Sequence, residues 1–353
     1  MALTARIRKR YGDFLLDVEF SVGNGETLAL LGASGCGKSV TLKCLAGIDR
    51  PDQGRIELDG QALFDSEKRI DLPPQKRRIG CLFQQYALFP GMTVEQNITA
   101  CLGRLEKKRR RERAAELIAA LRLEGVEKLL PRQISGGQQQ RTALARILAS
   151  EPRVILLDEP LSALDSCLRW QLEQELQDVL SGFGGPAVWV SHDQGEVYRN
   201  CKRVCVLDGG RSSPAADLKE LMADPGTVGA ARVSGCKNFV PFVPGPEAGS
   251  ASVPAWGITL RAAGVRRDGA SVLGVRDNCV RPAAEGDVNA FSCRVRRVTE
   301  DIDAMAVVLS PEGAEKGAPP LRMEVDKGSW AALAGREQVW VSIAPENILL
   351  LAE

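Results

Sequence analysis

The octapeptide Gly32-Ala33-Ser34-Gly35-Cys36-Gly37-Lys38-Ser39 is the stretch of this chain best suited to chemistry. Gly, four residues, Gly, Lys and then Ser or Thr is the spacing of a phosphate loop. Glycines without side chains let backbone N–H groups point inward as an anion nest. A helix that starts at the end of the loop adds partial positive charge. Lys38 supplies a full charge to the β- and γ-phosphates of a nucleotide, and the Ser39 hydroxyl can ligate Mg²⁺. A chance glycine-rich turn would not also fill all four key positions between a strand and a helix.

Three more groups stand at the ends of apolar runs. Asp158-Glu159 follows Val154-Ile155-Leu156-Leu157, His192 follows Ala187 to Ser191, and Gln84 follows Ile79 to Phe83. Asp158 is placed to anchor the metal, directly or through water. Glu159 can accept the proton of an attacking water or polarise it. Gln84 could hold Mg²⁺ or that water through its amide oxygen. His192, the only histidine, reads either as a satisfied structural residue or as a γ-phosphate contact. Tyr11, before Gly12-Asp13 in an expected loop, reads as a surface aromatic or as a platform for a purine, where stacking is worth about 1–3 kcal/mol.

The elements that must position these groups follow from periodicity. Thr27 to Leu31 is a buried strand leading into the loop, and a helix runs from Ser39 to about Ile48, with Gly47 near its end. In open parallel sheets ligands bind outside the carboxyl ends of the strands. If the four apolar runs are parallel neighbours, Gly32, Gln84, Asp158 and His192 converge on the phosphates held at 32–39. Before them, Arg6 to Tyr11 and Val18 to Val22 alternate as antiparallel strands, and Arg55 to Gly60 reads as a further strand and turn. From about 85 to 150 the chain becomes helical. Lys107-Lys108-Arg109-Arg110-Arg111 opens a helix towards Leu121, and Glu106, Glu112 and Glu116 make its basic run a solvated face rather than a nucleic-acid or lipid patch.

Ser135-Gly136-Gly137-Gln138-Gln139-Gln140-Arg141 begins another helix, with Ser135 as its cap. One nucleotide rarely needs two such helix starts from one subunit. The pattern therefore predicts a homodimer in which this segment completes the site on the other copy.

Composition bounds the rest. A length of 353 residues suggests two or three domains, and 44% apolar residues suffice for a large core. A net charge of +1 gives no general reason to expect a nucleic-acid partner. The first residues lack a secretory apolar core, and no apolar run approaches the roughly 18 residues needed to span a bilayer. The ten cysteines are scattered, which suits reduced thiols and argues against a disulfide framework or a zinc site.

These residues together resemble the ATP-binding subunit of ATP-binding-cassette (ABC) transporters, over about residues 1–230. The resemblance rests on 32–39, Gln84, the signature at 135–141, 154–159, the following Leu161-Ser162-Ala163-Leu164-Asp165, and His192. It implies an α/β fold of the P-loop NTPase type, with a RecA-like core, an antiparallel β subdomain and a helical subdomain. It implies ATP and Mg²⁺ as cofactors, with Ser39, Gln84 and Asp158 towards the metal. Glu159 becomes the catalytic carboxylate, and His192 the γ-phosphate contact, with Gln84 beside them. Tyr11, the loop through Val40, Ser135 to Gln138 and Asp165 bind nucleotide. The signature opens with Ile134 where Leu is usual, and Val40 stands where Thr is common; neither change removes a phosphate ligand.

Within the family, Ala62 to Ser66, Leu72 to Gly80 and Ser191 to Tyr198 are similar to the molybdate and sulfate importer branch, and neighbouring branches for sugars, iron or polyamines share much of them. The implied partners are a second copy of the chain, two transmembrane permease subunits and, indirectly, an external solute-binding protein. The implied location is the cytoplasmic face of the membrane. A non-transport ABC ATPase fits less well, and a guanine-specific enzyme lacks its Asn-Lys-x-Asp motif. Residues 236–353 change texture, with a Pro-rich stretch and short β patterns. They suit a small β-barrel of the OB-like, TOBE type, either a regulatory oxyanion-binding domain or a dimerisation scaffold.

Overall fold

The computed structural model describes residues 3–83, 85–103, 106–162, 166–247, 249–263 and 269–353. The chain divides into two compact units, Met1–Leu218 and Lys219–Glu353.

In the first unit, β1 (Leu3–Tyr11) and β2 (Phe14–Val22) form a hairpin with Tyr11 opposite Phe14. Tyr11 thus closes a strand rather than sitting in a loop, because the Gly12-Asp13 turn is only two residues long. Next come β3 (Thr27–Leu31) and α1 (Lys38–Ala46), on either side of the glycine loop. Then follow β4 (Gln53–Leu58), β5 (Gln61–Asp65), β6 (Ile70–Asp71), α2 (Pro74–Arg77) and β7 (Ile79–Leu82). The helical segment holds α3 (Val94–Thr99), α4 (Lys107–Ala120) and α5 (Gly136–Ala149). The chain returns through β8 (Val154–Asp158), α6 (Ser166–Phe183), β9 (Ala187–Ser191), α7 (Gln194–Asn200), β10 (Arg203–Asp208) and the short β11 (Arg211–Ser212) and β12 (Ala216–Asp217).

Among the described residues these strands make one sheet, in the order β6-β5-β4-β1-β2-β11-β10-β3-β9-β8-β7 with β12 beside β10. The run from β10 to β7 is parallel throughout. Register aligns the strand ends: Leu31 pairs with Ser191, Val190 with Asp158, and Leu157 with Leu82. Every residue of β8 and β9 is buried, which explains why both read as unbroken apolar runs rather than alternating ones. Leu28, Leu30, Leu42, Leu45, Leu156 and Val190 share one core. Each such side chain contributes about 1.5–3 kcal/mol on burial. The strand ends therefore sit on a stiff floor.

The second unit begins with α8 (Leu218–Ala223) and α9 (Val228–Val233), and the rest is β structure. Its strands are β13 (Cys236–Pro241), β14 (Val243–Pro244), β15 (Ser250–Val253), β16 (Ile258–Arg261), β17 (Ala270–Arg276), β18 (Val280–Pro282), β19 (Ala290–Glu300), β20 (Ala304–Pro311) and β21 (Leu321–Asp326), then, after α10 (Lys327–Ala331), β22 (Gln338–Ile343) and β23 (Leu349–Ala352). They form antiparallel sheets ordered β18-β22-β19-β20-β21, β13-β17-β23 and β14-β15-β16. These enclose one core built on Trp256, Leu273, Phe291, Trp330 and Val341, the small OB-like barrel domain expected from the sequence. The division at 218/219 falls before the expected boundary at 235/236. The reason is packing: Thr227 caps α9, and Ala231 of that helix lies against Cys236, Leu349 and Leu351 of the β unit.

Candidate nucleotide site

Gly35 and Gly37 adopt φ values of +80° and +108°, which side chains rarely tolerate. A Cβ on Gly32 would lie 2.3 Å from the Leu207 carbonyl oxygen, so the loop needs glycine there for space. Ala33, Ser34 and Gly35 are exposed along the rim, while Cys36 is buried beneath it. Burial pushes the Cys36 thiol up, against the pull of the Lys38 ammonium, so it serves as a neutral wall rather than a nucleophile.

Lys38 opens α1 and is 6% exposed. Its ammonium donates to the carbonyls of Gly32 at 2.7 Å and Ala33 at 2.9 Å, which suspends a full charge inside the loop. Among the described residues no side chain caps α1, whose N-cap is Gly37, and no acidic residue lies in its first turn. In α5 and α7 the equivalent N–H groups are taken by Ser135 and Asp193. The free first turn and the buried ammonium fit an anionic phosphate. Val40, one turn in, is half-buried against the core and contributes its backbone.

Ser39 Oγ donates to Asp158 Oδ1 at 3.1 Å. Burial pushes the Asp158 carboxyl up, and the Ser39 hydrogen bond pulls it back in part. A hydroxyl and a desolvated carboxylate at this spacing are a fitting oxygen pair for Mg²⁺. Next to it, Glu159 has φ +48° and is anchored by its N–H to Val190 O at 3.0 Å. Its carbonyl accepts from the Ser162 hydroxyl at 3.0 Å. Glu159 Oε1 meets His192 Nδ1 at 3.2 Å, and the His192 side chain is 62% exposed. The sheet therefore brings Lys38, Ser39, Asp158, Glu159 and His192 to one edge. Gln84 and Asp165 lie outside the described residues.

Tyr11 is 44% exposed; its hydroxyl donates to Asp49, and the Lys9 ammonium sits 4.9 Å from its ring centroid. Ser135 and Gln138 form a capping box, Ser135 Oγ accepting from Gln138 N at 3.3 Å and Gln138 Oε1 accepting from Ser135 N at 2.9 Å. Ser135 and Gly136 are exposed and Gly137 is buried. The 135–138 turn is thus a rigid, outward-facing helix start, suited to meet a ligand from outside its own chain.

Two supporting residues escaped sequence reasoning. Buried Asn97 donates to the carbonyls of Phe89, Met92 and Thr93 and accepts from Phe89 N. Arg146 donates to the carbonyls of Tyr86 and Ala87, whose φ values are +56° and +45°. Together they pin the turn that follows position 84. Neither stands out in a polar, helical stretch, although a lone Asn between Val94 and Ile98 on a short helix was the available signal.

A glycine loop between a parallel strand and an uncapped helix, facing a Ser–Asp pair and a Glu–His pair, defines a P-loop nucleotide-binding protein. The sequence model described as ABC transporter matches residues 15–162. The chain is 38% identical over 286 residues to the Fe(3+) ions import ATP-binding protein of Rhizobium etli, covering 79% of each. It is 41% identical to the molybdenum import ATP-binding protein of Paramagnetospirillum magneticum, over 62% of this chain and 60% of the relative. It is 42% identical to the putrescine transport ATP-binding protein of Escherichia coli, over 63% of this chain and 58% of the relative. The fold is similar to that of a dimeric ATP-binding cassette solved with ADP and Pi, with a TM-score of 0.53 and 30% identity, covering 61% of this chain and 98% of that one. The chain belongs to the ATP-binding proteins of ABC transporters. It spans about 60% of the length of the molybdenum and putrescine relatives.

Proposed function

We propose that this chain is the ATP-hydrolysing subunit of an ABC importer, working as a homodimer docked on two permease subunits at the cytoplasmic face of the membrane. The observation that carries the proposal is the 3.2 Å contact of Glu159 with His192, one residue past the Ser39–Asp158 pair. ATP with Mg²⁺ supplies an electrophilic γ-phosphate and a charge clamp on its oxygens. Lys38 and the first turn of α1 hold the phosphates, and Ser39 and Asp158 present the metal ligands. Glu159 takes a proton from water, and His192 orients that carboxylate and contacts the γ-phosphate side. Tyr11 stacks on the base. Ser135 to Gln138 close the site on the other copy, with Gln84 and Asp165 contributing. Closure on ATP and reopening after hydrolysis drive the permease, because the two states differ in what they bind.

The solute we assign is molybdate or a related oxyanion, sulfate or tungstate. The support is the stretches 62–66, 72–80 and 191–198 together with the molybdenum relative. A second reading, an iron(III) importer, is favoured by the iron relative, whose match extends over 79% of this chain. Uptake of labelled molybdate and of labelled iron(III) in the native cells, with the chain intact or as Glu159→Gln, separates the two. Molybdate uptake that requires Glu159 and resists excess sulfate supports molybdate or tungstate. Molybdate uptake that sulfate abolishes points to a general oxyanion importer. Uptake of iron alone that requires Glu159 transfers the assignment to iron, and uptake of neither that depends on Glu159 removes both.

A further inference from the structure

His192 is well placed and poorly held. Its side chain is 62% exposed, and among the described residues its one side-chain hydrogen bond is to Glu159. The imidazole must therefore be aimed by its backbone, and the backbone on both sides of it is tied to one buried carboxylate. Glu196 is 4% exposed. Its Oε1 accepts from Trp189 Nε1 at 2.7 Å, and its Oε2 accepts from Ser191 Oγ at 3.0 Å. Ser191 Oγ in turn accepts from Asp193 N at 3.0 Å. Asp193 Oδ1 accepts from Glu196 N at 3.0 Å. The ring of bonds Glu196–Ser191–Asp193–Glu196 encloses residue 192 and fixes the direction in which it leaves β9.

The carboxylate is expensive where it stands. Burial pushes Glu196 up, and hydrogen bonds from the indole and the hydroxyl pull it back in part. An apolar residue packed on Trp189 would fill the same space without that penalty. The far end of α7 is fastened too. Glu173 of α6, 3% exposed, accepts from Arg199 Nε at 2.7 Å and from Asn200 Nδ2 at 2.7 Å. Asn200 Nδ2 also donates to the Glu196 carbonyl at 2.7 Å.

We propose that Glu196, acting through Ser191, is a positioning residue that sets His192 against Glu159. Its carboxylate oxygens accept from Trp189 and Ser191, not from any group assigned to the nucleotide. The proposal rests on the assignment of His192 to the hydrolytic site and adds the group that aims it. Fully satisfied buried polar networks rigidify and specify geometry, and a misplacement of about 1 Å at a reacting centre can cost 100-fold in rate.

The test uses the single histidine as its own probe. Full-length, tag-free protein labelled at histidine Cε1 gives one imidazole signal by NMR. In the unmodified chain Glu159→Gln should move that signal, because the carboxylate lies 3.2 Å from Nδ1. In a Ser191→Ala background, which breaks the ring at two bonds, the same Glu159→Gln change should leave the signal in place. Glu196→Gln keeps an acceptor for Trp189 and turns a donor towards Ser191; it should reduce the response and serves on its own if Ser191→Ala does not fold. In hydrolysis both variants should lower kcat by about 10-fold or more with KM for ATP held. A signal that responds to Glu159→Gln equally in all backgrounds, or in none, overturns the proposal, as does an unchanged kcat. If the unmodified chain hydrolyses no ATP, the functional reading fails, while the NMR response still judges the positioning by itself.

Discussion

Glu159 reaches His192 from an unfavourable backbone: its Oε1 lies 3.2 Å from His192 Nδ1 while its own φ is +48°. A non-glycine residue in the left-handed region costs of order 1–3 kcal/mol and persists only when its surroundings impose it. Here Val190 O and the Ser162 hydroxyl impose it. The turn carries the carboxylate out of β8 and towards the end of β9. Strain and contact belong to one device, which holds a carboxylate and an imidazole together at the edge of the sheet before any ligand arrives.

Asp158→Asn should stabilise the ligand-free protein at neutral pH while abolishing Mg²⁺-dependent hydrolysis. The folded-state pKa of Asp158 is raised by burial, so its contribution to stability is full below the unfolded pKa and is lost as pH rises through the folded one. The amide removes that loss. Relief of about 1 kcal/mol would appear as roughly 2–4 °C in Tm at pH 7, shrinking towards zero below about pH 4. Thermal melts of both proteins from about pH 3, below the ordinary carboxylate value, to about pH 8 check it.

Lys38→Ala should weaken ATP binding by about 10–100-fold, the worth of charge-assisted hydrogen bonds from one ammonium. Gly37→Ala should do similar harm without touching charge. Its φ is +108°, and the new Cβ would lie 2.5 Å from Leu16 Cδ1. Titration with a fluorescent ATP analogue measures both; retained affinity in Lys38→Ala contradicts the role of the loop.

Arg77→Met should destabilise the first unit by about 1–3 kcal/mol, because it leaves buried backbone carbonyls without a donor. Arg77 is 1% exposed and donates to the carbonyls of Cys44 and Leu45 at the end of α1, to Leu72 O, and to Asp71 Oδ1 at 3.0 Å. It clamps the far end of the helix that begins at Lys38. Chemical denaturation reads the loss, with a reduced midpoint expected.

The parts of this site that were legible in the sequence are those where one physical demand fixes the residue type. Gly35 and Gly37 are needed for positive φ, and β8 and β9 are apolar at nearly every position because both faces are covered. The convergence of Gly32, Asp158 and His192 followed from strand direction alone. Arg77, Asn97 and Glu196 were not legible. Each is a buried polar residue in a segment whose pattern looks exposed, and its partners are set by tertiary packing. Tyr11 was expected in a loop because a hairpin turn of two residues leaves no room to see where the strand stops. In the second unit, the pairing of β22 with β18 and β19 also joins residues distant in the chain.

Mixing Ser135→Arg chains with Lys38→Ala chains should restore hydrolysis to a level above either parent. Each mixed dimer keeps one composite site intact if Ser135 of one copy completes the loop of the other. The capping box holds Ser135 on an exposed helix start, where a bulky cation would block a neighbouring phosphate. A mixture no faster than its parents contradicts a shared site that fires alone.

The most direct test is steady-state ATP hydrolysis by Glu159→Gln beside the unmodified protein, with ATP binding measured in parallel. The amide keeps the shape of the side chain and removes the base. Hydrolysis should fall by about 100-fold or more, with ATP affinity retained and a dimer trapped by ATP. Turnover equal to that of the unmodified protein would take Glu159 out of the chemistry and contradict the catalytic pairing with His192.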